Sequence, residues 1–400
     1  MSNQININKL QGENKMPNIL KLNKLGKAAD KVFPKNYTLL DECAAPDGII
    51  VRSFDMKTYN LPESVLCVAR AGAGTNNIPS KDYAEKGVIV FNTPGANANA
   101  VKELCICALL LSGRKIVDGI NWAGGLKEGE PTVAKQVEDG KKNFVGGEIF
   151  GKTIGVIGMG AIGILVANAC VGLGMNVLGY DPHMNADKKA KLNPLIKMAA
   201  TLDDVYAGCD FISLHLPFLP ETKEMINKAV LAKCKDGVSI INAARAELVH
   251  NADIIDAIKS GKVNRYVTDF PVGAVLNIPG IITIPHLGAS TPEAEDNCVE
   301  MGGAQMIDFI ENGNIVNSVN YPAVHLDRCK KDCTRMTIAY KGALDIKAEA
   351  EKAGIKVCQI ASGTKGDFGY AIIDSDNIDK ANCQCGALKK VAGILKVRCV

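Results

Sequence analysis

At roughly 150 residues per domain, a chain of 400 residues predicts two or three domains, and its 22% charged and 47% hydrophobic side chains are those of a globular protein rather than a disordered one. The 46 Lys+Arg nearly cancel the 43 Asp+Glu, so a net charge of +3 offers no electrostatic footprint for nucleic acid or an anionic membrane. The longest apolar stretch, around 104–111, is far short of the roughly 20 residues that span a bilayer.

The Asn-rich start, 1–15, has neither a hydrophobic signal core nor an Arg-rich amphipathic pattern. It reads as a polar tail, with Met16 as an alternative start and a cytoplasmic location expected. Fourteen cysteines spread from Cys43 to Cys399. The close groupings Cys105/Cys107, Cys329/Cys333 and Cys383/Cys385 lack CxxC spacing and neighbouring histidines, so no metal site is expected. A reducing compartment and free thiols follow. Cys105 and Cys107, within LCICALLL, read as small buried hydrophobes.

In chain order, residues 17–98 alternate strand-like runs (NILKLN, GIIVRS, LCVARAG, GVIVFN) with polar stretches, predicting a smaller α/β unit. The next block carries six buried-type strands: TIGVIG (153–158), NVLGYD (176–181), FISLHLP (211–217), VSIINAAR (238–245), RYVTDF (265–270) and GIITIPH (280–286). Helical periodicity between them, as at 222–235 and 252–259, predicts a doubly wound parallel sheet. Residues 290–312 read as a helix that packs back onto the first unit. From 328 the order becomes strand, helix, strand, strand, helix, strand, a small βαββαβ domain. The expected domains are therefore 17–98 with 290–322, 99–289, and 328–400.

Gly158-Met159-Gly160-Ala161-Ile162-Gly163 follows one strand and opens a helix. Gly158 permits the tight turn, Gly160 the approach of a pyrophosphate, and Gly163 close helix–strand packing. The helix N-terminus, with Ala161 and Ile162, favours the anion. Asp181 ends the next strand, where a carboxylate accepts from a ribose diol and repels a 2′-phosphate, which favours NAD over NADP. The bland alternative is a structural glycine turn with a surface aspartate.

His215, Arg245, Asp269 and His286 stand at further strand ends. Hydride transfer from a 2-hydroxy acid needs a cation for the carboxylate and an acid/base for the hydroxyl proton. Arg245 suits the first task through its bidentate fork, and His286 suits the second. Taken singly, each could equally be structural; on a dinucleotide-binding fold the pair favours function. His183, His250 and His325 read as surface residues.

These runs together resemble the NAD-dependent D-2-hydroxyacid dehydrogenases, and within them the phosphoglycerate dehydrogenases with a C-terminal ACT domain. The resemblance rests on RAGAGTNNIP (70–79), FNTPGANANAVKEL (91–104), GVIGMGAIG (155–163), GYDP (179–182) and PHLGASTPEAEDN (285–297). It implies a Rossmann NAD domain inserted in a flavodoxin-like α/β substrate domain, followed by an ACT-like domain. It implies oxidation of 3-phospho-D-glycerate to 3-phosphohydroxypyruvate, the first step toward L-serine, by a homodimer or higher homo-oligomer. His286 would be the acid/base and Arg245 the carboxylate holder. Cofactor contacts would fall on the Gly158–Gly163 turn, Asp181, His215, Leu216, Pro217, Ala243, Ala244, Asp269 and Gly288. Substrate contacts would fall on Arg52, Ser53, Ala71, Gly72, Gly74 and Asn97, with Arg245 and His286. Arg52 would suit a substrate phosphate, although an exposed arginine on a strand edge is the plain alternative.

Three departures stand out. The family places a glutamate five residues after the Asp269 equivalent to pair with the histidine, whereas this chain has Gly273-Ala274. Its loss predicts a lower histidine pKa and a looser imidazole, with Glu247 as a candidate substitute. Ala246 replaces a glycine and would distort its loop if φ were positive. The segment YKGALDIKAEAEKAGI lacks the Asn-x-Pro-Gly-like loop of serine-binding ACT domains, so the last domain is expected to serve packing or assembly. Two alternatives to phosphoglycerate oxidation remain: the same chemistry on hydroxypyruvate, glyoxylate or D-lactate, and a catalytically impaired NAD-binding module.

Overall fold

The computed structural model describes residues 16–23, 25, 28–329, 333–378 and 385–400. The expected polar tail at 1–15 lies outside them. The chain divides into two compact units, 1–96 with 295–400, and 97–294.

The first unit contains a parallel sheet of β1 (Asn18–Leu22), β2 (Thr38–Leu40), β3 (Gly48–Val51), β4 (Cys67–Arg70) and β5 (Ile89–Phe91), in the order β2-β1-β3-β4-β5. This is the flavodoxin-like winding. β3, Gly-Ile-Ile-Val, is buried throughout because helices cover both faces of a central parallel strand. Arg52 thus follows a central strand, which corrects the strand-edge alternative. The helix Pro292–Asn312 packs back onto this sheet through Cys298, Val299, Met306 and Phe309, against Ile19, Ile50 and Phe91.

The second unit holds a seven-stranded parallel sheet: β6 (Thr153–Ile157), β7 (Asn176–Tyr180), β8 (Lys197–Met198), β9 (Phe211–Leu214), β10 (Val238–Asn242), β11 (Val263–Thr268) and β12 (Ile281–Thr283). Its order, β12-β11-β10-β9-β6-β7-β8, reverses direction between β6 and β9. Every run expected as a strand forms one, and the winding is that of a Rossmann fold. The expected helix at 222–235 shrinks to Lys228–Lys233. Glu224 adopts φ 50, which interrupts the helix, and the Asn227 side chain accepts from Val230 N–H to start it anew.

At the C-terminus, β13 (Thr334–Lys341), β14 (Val357–Lys365), β15 (Phe368–Ser375) and β16 (Ile394–Cys399) form an antiparallel sheet in the order β14-β15-β13-β16. Short helices at Ile346–Lys352 and Cys385–Leu388 complete the βαββαβ succession. One face of this sheet, with Ala339, Tyr370 and Ile372, shares a hydrophobic cluster with Ile89, Phe91 and Phe309 of the same unit. Arg335 is fully buried but satisfied: it pairs with Asp374 at 2.7 and 2.8 Å and donates to the carbonyls of Asn312, Leu326 and Asp327.

Two cysteine expectations need correction. Cys107 is exposed, because the apolar run lies on a helix, Ala98–Gly113, whose outer face it occupies while Cys105 faces the core. Cys399 is disulfide-bonded, so the thiols are not all free. Among the described residues no helix is long and apolar enough to cross a membrane.

Candidate active site

The carboxyl ends of β6 and β9 meet where the strand order reverses, the position at which doubly wound sheets bind ligands. Gly158 turns there with φ 95, and a Cβ on it would lie 2.5 Å from the His215 carbonyl. His215 N–H in turn donates to Ile157 C=O at 2.8 Å, so the two strand ends are bolted together. Gly163 lies so close to the Gly158 carbonyl that a Cβ would collide with it, which draws the helix Ala161–Gly172 against β6. A Cβ on Gly160, at the N-cap, would meet nothing within 4 Å. That open space lies before N–H groups with no acceptor inside their own helix, a cradle for an anion. Leu216 packs beside Gly158, and Pro217 is exposed on the following loop.

Asp181 ends β7 nearly buried, accepting from Met159 N–H at 3.2 Å and His183 N–H at 2.8 Å. Lys188 Nζ also reaches it at 2.8 Å. Burial alone would raise this carboxyl's pKa, but the Lys188 and backbone hydrogen bonds outweigh it and hold the pKa below the ordinary value. The side chain is therefore held as a carboxylate, with its charge partly shared by Lys188, a partner that nothing in the sequence marked.

His215 lies within 2.9 Å of Ser213 Oγ, and burial pulls its imidazole down from 6.5 to about 4. Below pH 6.5 the unfolded chain takes a proton that the folded chain refuses, so this residue's contribution is full above 6.5 and is lost as pH falls through 4. It amounts to roughly 1–3 kcal/mol, discounted for the ring's partial exposure. Chemical denaturation of wild type and His215→Gln at pH 7 and pH 4.5 should show a smaller loss in the variant; equal losses would refute the assignment.

Beyond β10, Asn242 organises the loop that carries Arg245. Fully buried, it donates Nδ2–H to Arg245 C=O at 2.8 Å and accepts on Oδ1 from the N–H groups of Ala244 and Arg245. Ala243 and Ala244 are half-buried beneath it, and Arg245 Nη1 donates to Ala244 C=O at 2.6 Å. Ala246 begins a 3-10 turn, Ala246–Leu248, and is not among the positive-φ residues, so replacing the family glycine distorts nothing. Glu247 is exposed and forms no ion pair with Arg245 or His286 among the described residues, so it does not substitute for the missing glutamate.

Past β11, Asp269 is buried and accepts from Leu287 N–H at 2.7 Å and Gly288 N–H at 2.8 Å. Burial raises its pKa despite those donors. A Cβ on Gly288 would crowd Asp269 Oδ2 at 3.0 Å, so glycine permits the latch. The latch grips the chain immediately after His286, which takes φ 54, an uncommon conformation for a non-glycine residue and one that concentrates at functional sites. His286 itself is exposed. Phe270 stands between the two chemical groups: its ring centroid is 4.6 Å from that of His286, and the Arg245 guanidinium carbon lies 6.0 Å over it.

Residues 120–288 match the model of the D-isomer specific 2-hydroxyacid dehydrogenase NAD-binding domain. Residues 120–288 thus belong to this family of NAD-binding domains. The chain is similar to the D-3-phosphoglycerate dehydrogenases of Archaeoglobus fulgidus (32% identical over 299 residues) and Homo sapiens (32% over 298 residues), in each case across 72% of this chain. The matched region spans 54% and 53% of those relatives, about half their length. Among solved structures, it is similar to NAD+-bound 3-phosphoglycerate dehydrogenase from Entamoeba histolytica, with 27% identity and a TM-score of 0.59, covering 76% of this chain and 98% of that one.

Asn97, at the start of the helix Ala98–Gly113, is half-buried in the second unit. Arg245 and His286 belong to the same unit, whereas the remaining expected substrate contacts belong to the first. Arg52 and Ser53 follow β3, where the Asn23 side chain accepts from Ser53 and Phe54 N–H at 3.1 and 2.8 Å. The Arg52 guanidinium is ion-paired with Glu295. Ala71, Gly72 and Gly74 follow β4, where Gly72 C=O accepts from Thr93 N–H and Asn92 Nδ2 donates to Ala73 C=O. Asn242 had a legible signal, a polar residue closing an apolar strand. Asn23 and Phe270 had none.

Proposed function

We propose that this protein oxidises a D-2-hydroxy acid with NAD, and that 3-phospho-D-glycerate, yielding 3-phosphohydroxypyruvate, is its substrate. The observation that carries this reading is the grouping of Arg245 and His286 about Phe270, at the carboxyl ends of strands in an NAD-binding fold. The identity to phosphoglycerate dehydrogenases supports the choice of acid.

The Gly158–Gly163 turn would hold the pyrophosphate and Asp181 the adenosine ribose, while His215 to Pro217, Ala243, Ala244, Asp269 and Gly288 would line the remainder. Bound NAD supplies the acceptor for the hydride. Arg245 grips the substrate carboxylate through two charge-assisted hydrogen bonds, which orients C2. His286 accepts the hydroxyl proton as the C2 hydrogen departs with its electron pair and the C–O bond becomes a carbonyl. In the reverse direction it returns that proton. Asp269 touches neither reacting atom; it holds the backbone that presents His286.

The test runs in the reductive direction. The protein is mixed with NADH and 3-phosphohydroxypyruvate, hydroxypyruvate or glyoxylate, and loss of NADH absorbance is followed. The highest kcat/KM is expected for the phosphorylated acid. Preference for an unphosphorylated acid would reject the substrate, and NADH binding without turnover of any of them would reject the enzyme.

A further inference from the structure

The missing family glutamate leaves a question that the structure answers in its own way. Ala274 lies exposed on the 3-10 turn Gly273–Val275, and among the described residues no carboxylate hydrogen-bonds the His286 imidazole. The ring is exposed on a backbone with φ 54, and the nearby Asp269 carboxylate acts on it only through space, without a hydrogen bond to fix its plane, yet a proton acceptor must keep one face and one nitrogen toward the substrate. Phe270 supplies an apolar hold instead. Its ring lies 4.6 Å from the imidazole, centroid to centroid, with the planes inclined by 44°. Its other neighbour is the Arg245 guanidinium, at cation–π range.

The backbone beneath Phe270 is itself pinned. Phe270 N–H donates to Thr268 Oγ1 at 3.1 Å, and Thr268 is buried at the end of β11. Pro271 follows, and the residue before a proline is restricted to extended conformations. Between a strand end and a proline, Phe270 has little freedom to leave the histidine.

We propose that Phe270 is a positioning residue, whose ring orients His286 and Arg245 in place of the absent carboxylate. This rests on the dehydrogenase reading given above. An aromatic pair at this separation biases a side-chain rotamer by about three- to tenfold, and the rate constant should follow the oriented population. The through-space attraction of Asp269 does not fix the plane of the imidazole, whereas stacking does, so removing the Phe270 ring should lower the rate.

The experiment compares wild type, Phe270→Leu and Phe270→Tyr. In Phe270→Leu, kcat for reduction of 3-phosphohydroxypyruvate is expected to fall by roughly three- to tenfold, with the KM for NADH unchanged, and Phe270→Tyr, which keeps the ring, should recover most of the rate. A loss confined to the KM for NADH, an equal loss in both variants, or no loss in Phe270→Leu would overturn the proposal. A second readout needs no turnover and leaves Phe270 in place. The chain has five histidines, and in protein labelled with carbon-13 histidine the His286 ring protons, identified by their absence in His286→Asn, should be shifted upfield by the Phe270 ring current. Free-histidine shifts for His286 in the wild type would overturn the stack itself. Absence of wild-type turnover alongside an upfield His286 would reject the dehydrogenase reading while leaving the contact intact.

Discussion

His286→Asn is expected to lower kcat by roughly 10²–10⁴-fold, the range over which a positioned acid/base contributes, while NADH binding is retained. Asparagine is the informative replacement because it tolerates the left-handed backbone that His286 occupies, φ 54, and so keeps the Asp269 latch to Leu287 and Gly288. Asparagine cannot accept a proton from an alcohol near neutral pH, so the variant isolates the chemical step. NADH fluorescence titration and steady-state kinetics on the same preparation make the measurement. A kcat within about threefold of wild type would sink the acid/base assignment, since general acid–base help is at least tenfold larger than that.

The second large effect separates two glycines only three residues apart. Gly160→Ala should leave the fold intact, because a Cβ there meets nothing within 4 Å. The methyl group would nonetheless stand in the space before the helix N-terminus, and NADH affinity should weaken by about tenfold or more, each tenfold being 1.4 kcal/mol. Gly163→Ala acts differently. Its Cβ would collide with the Gly158 carbonyl and push the helix Ala161–Gly172 away from β6, costing stability on the overpacking scale of about 1–3 kcal/mol as well as binding. Thermal melts and NADH titration distinguish the two. Wild-type NADH affinity in Gly160→Ala would refute the pyrophosphate cradle, and an unchanged melt in Gly163→Ala would refute the close helix–strand contact.

Much of this site could be read before any coordinates. A run such as Phe211-Ile-Ser-Leu or Val238-Ser-Ile-Ile-Asn is apolar because a central parallel strand is covered on both faces. The residues just beyond such strands are the ones left free for chemistry, which is how Asp181, His215, Arg245, Asp269 and His286 came into view. The glycine spacing of 158–163 was equally legible, since a tight turn, an open cradle and a close contact each exclude a side chain for a local reason. Less was visible where partners come from distant stretches of chain. The Lys188 contact to Asp181, the Asn23 side chain under Ser53, and the Glu295 partner of Arg52 depend on packing, and nothing in their local pattern marks them. The helix at 222–235 was overestimated for a related reason: periodicity cannot see the positive φ of Glu224 or the new start at Asn227.

The sequence by itself determined the α/β architecture, the dinucleotide turn and the pair Arg245 and His286, because those follow from patterns of period, spacing and residue type that act locally. Only the tertiary structure decided what steadies that pair. The absence of a glutamate at 274 predicted a loose imidazole, yet Phe270, which sequence reading passed over as an apolar strand end, lies against both His286 and Arg245. Stacking depends on where two strand ends converge in space, β11 for Phe270 and β12 for His286, and a linear pattern carries no information about that distance.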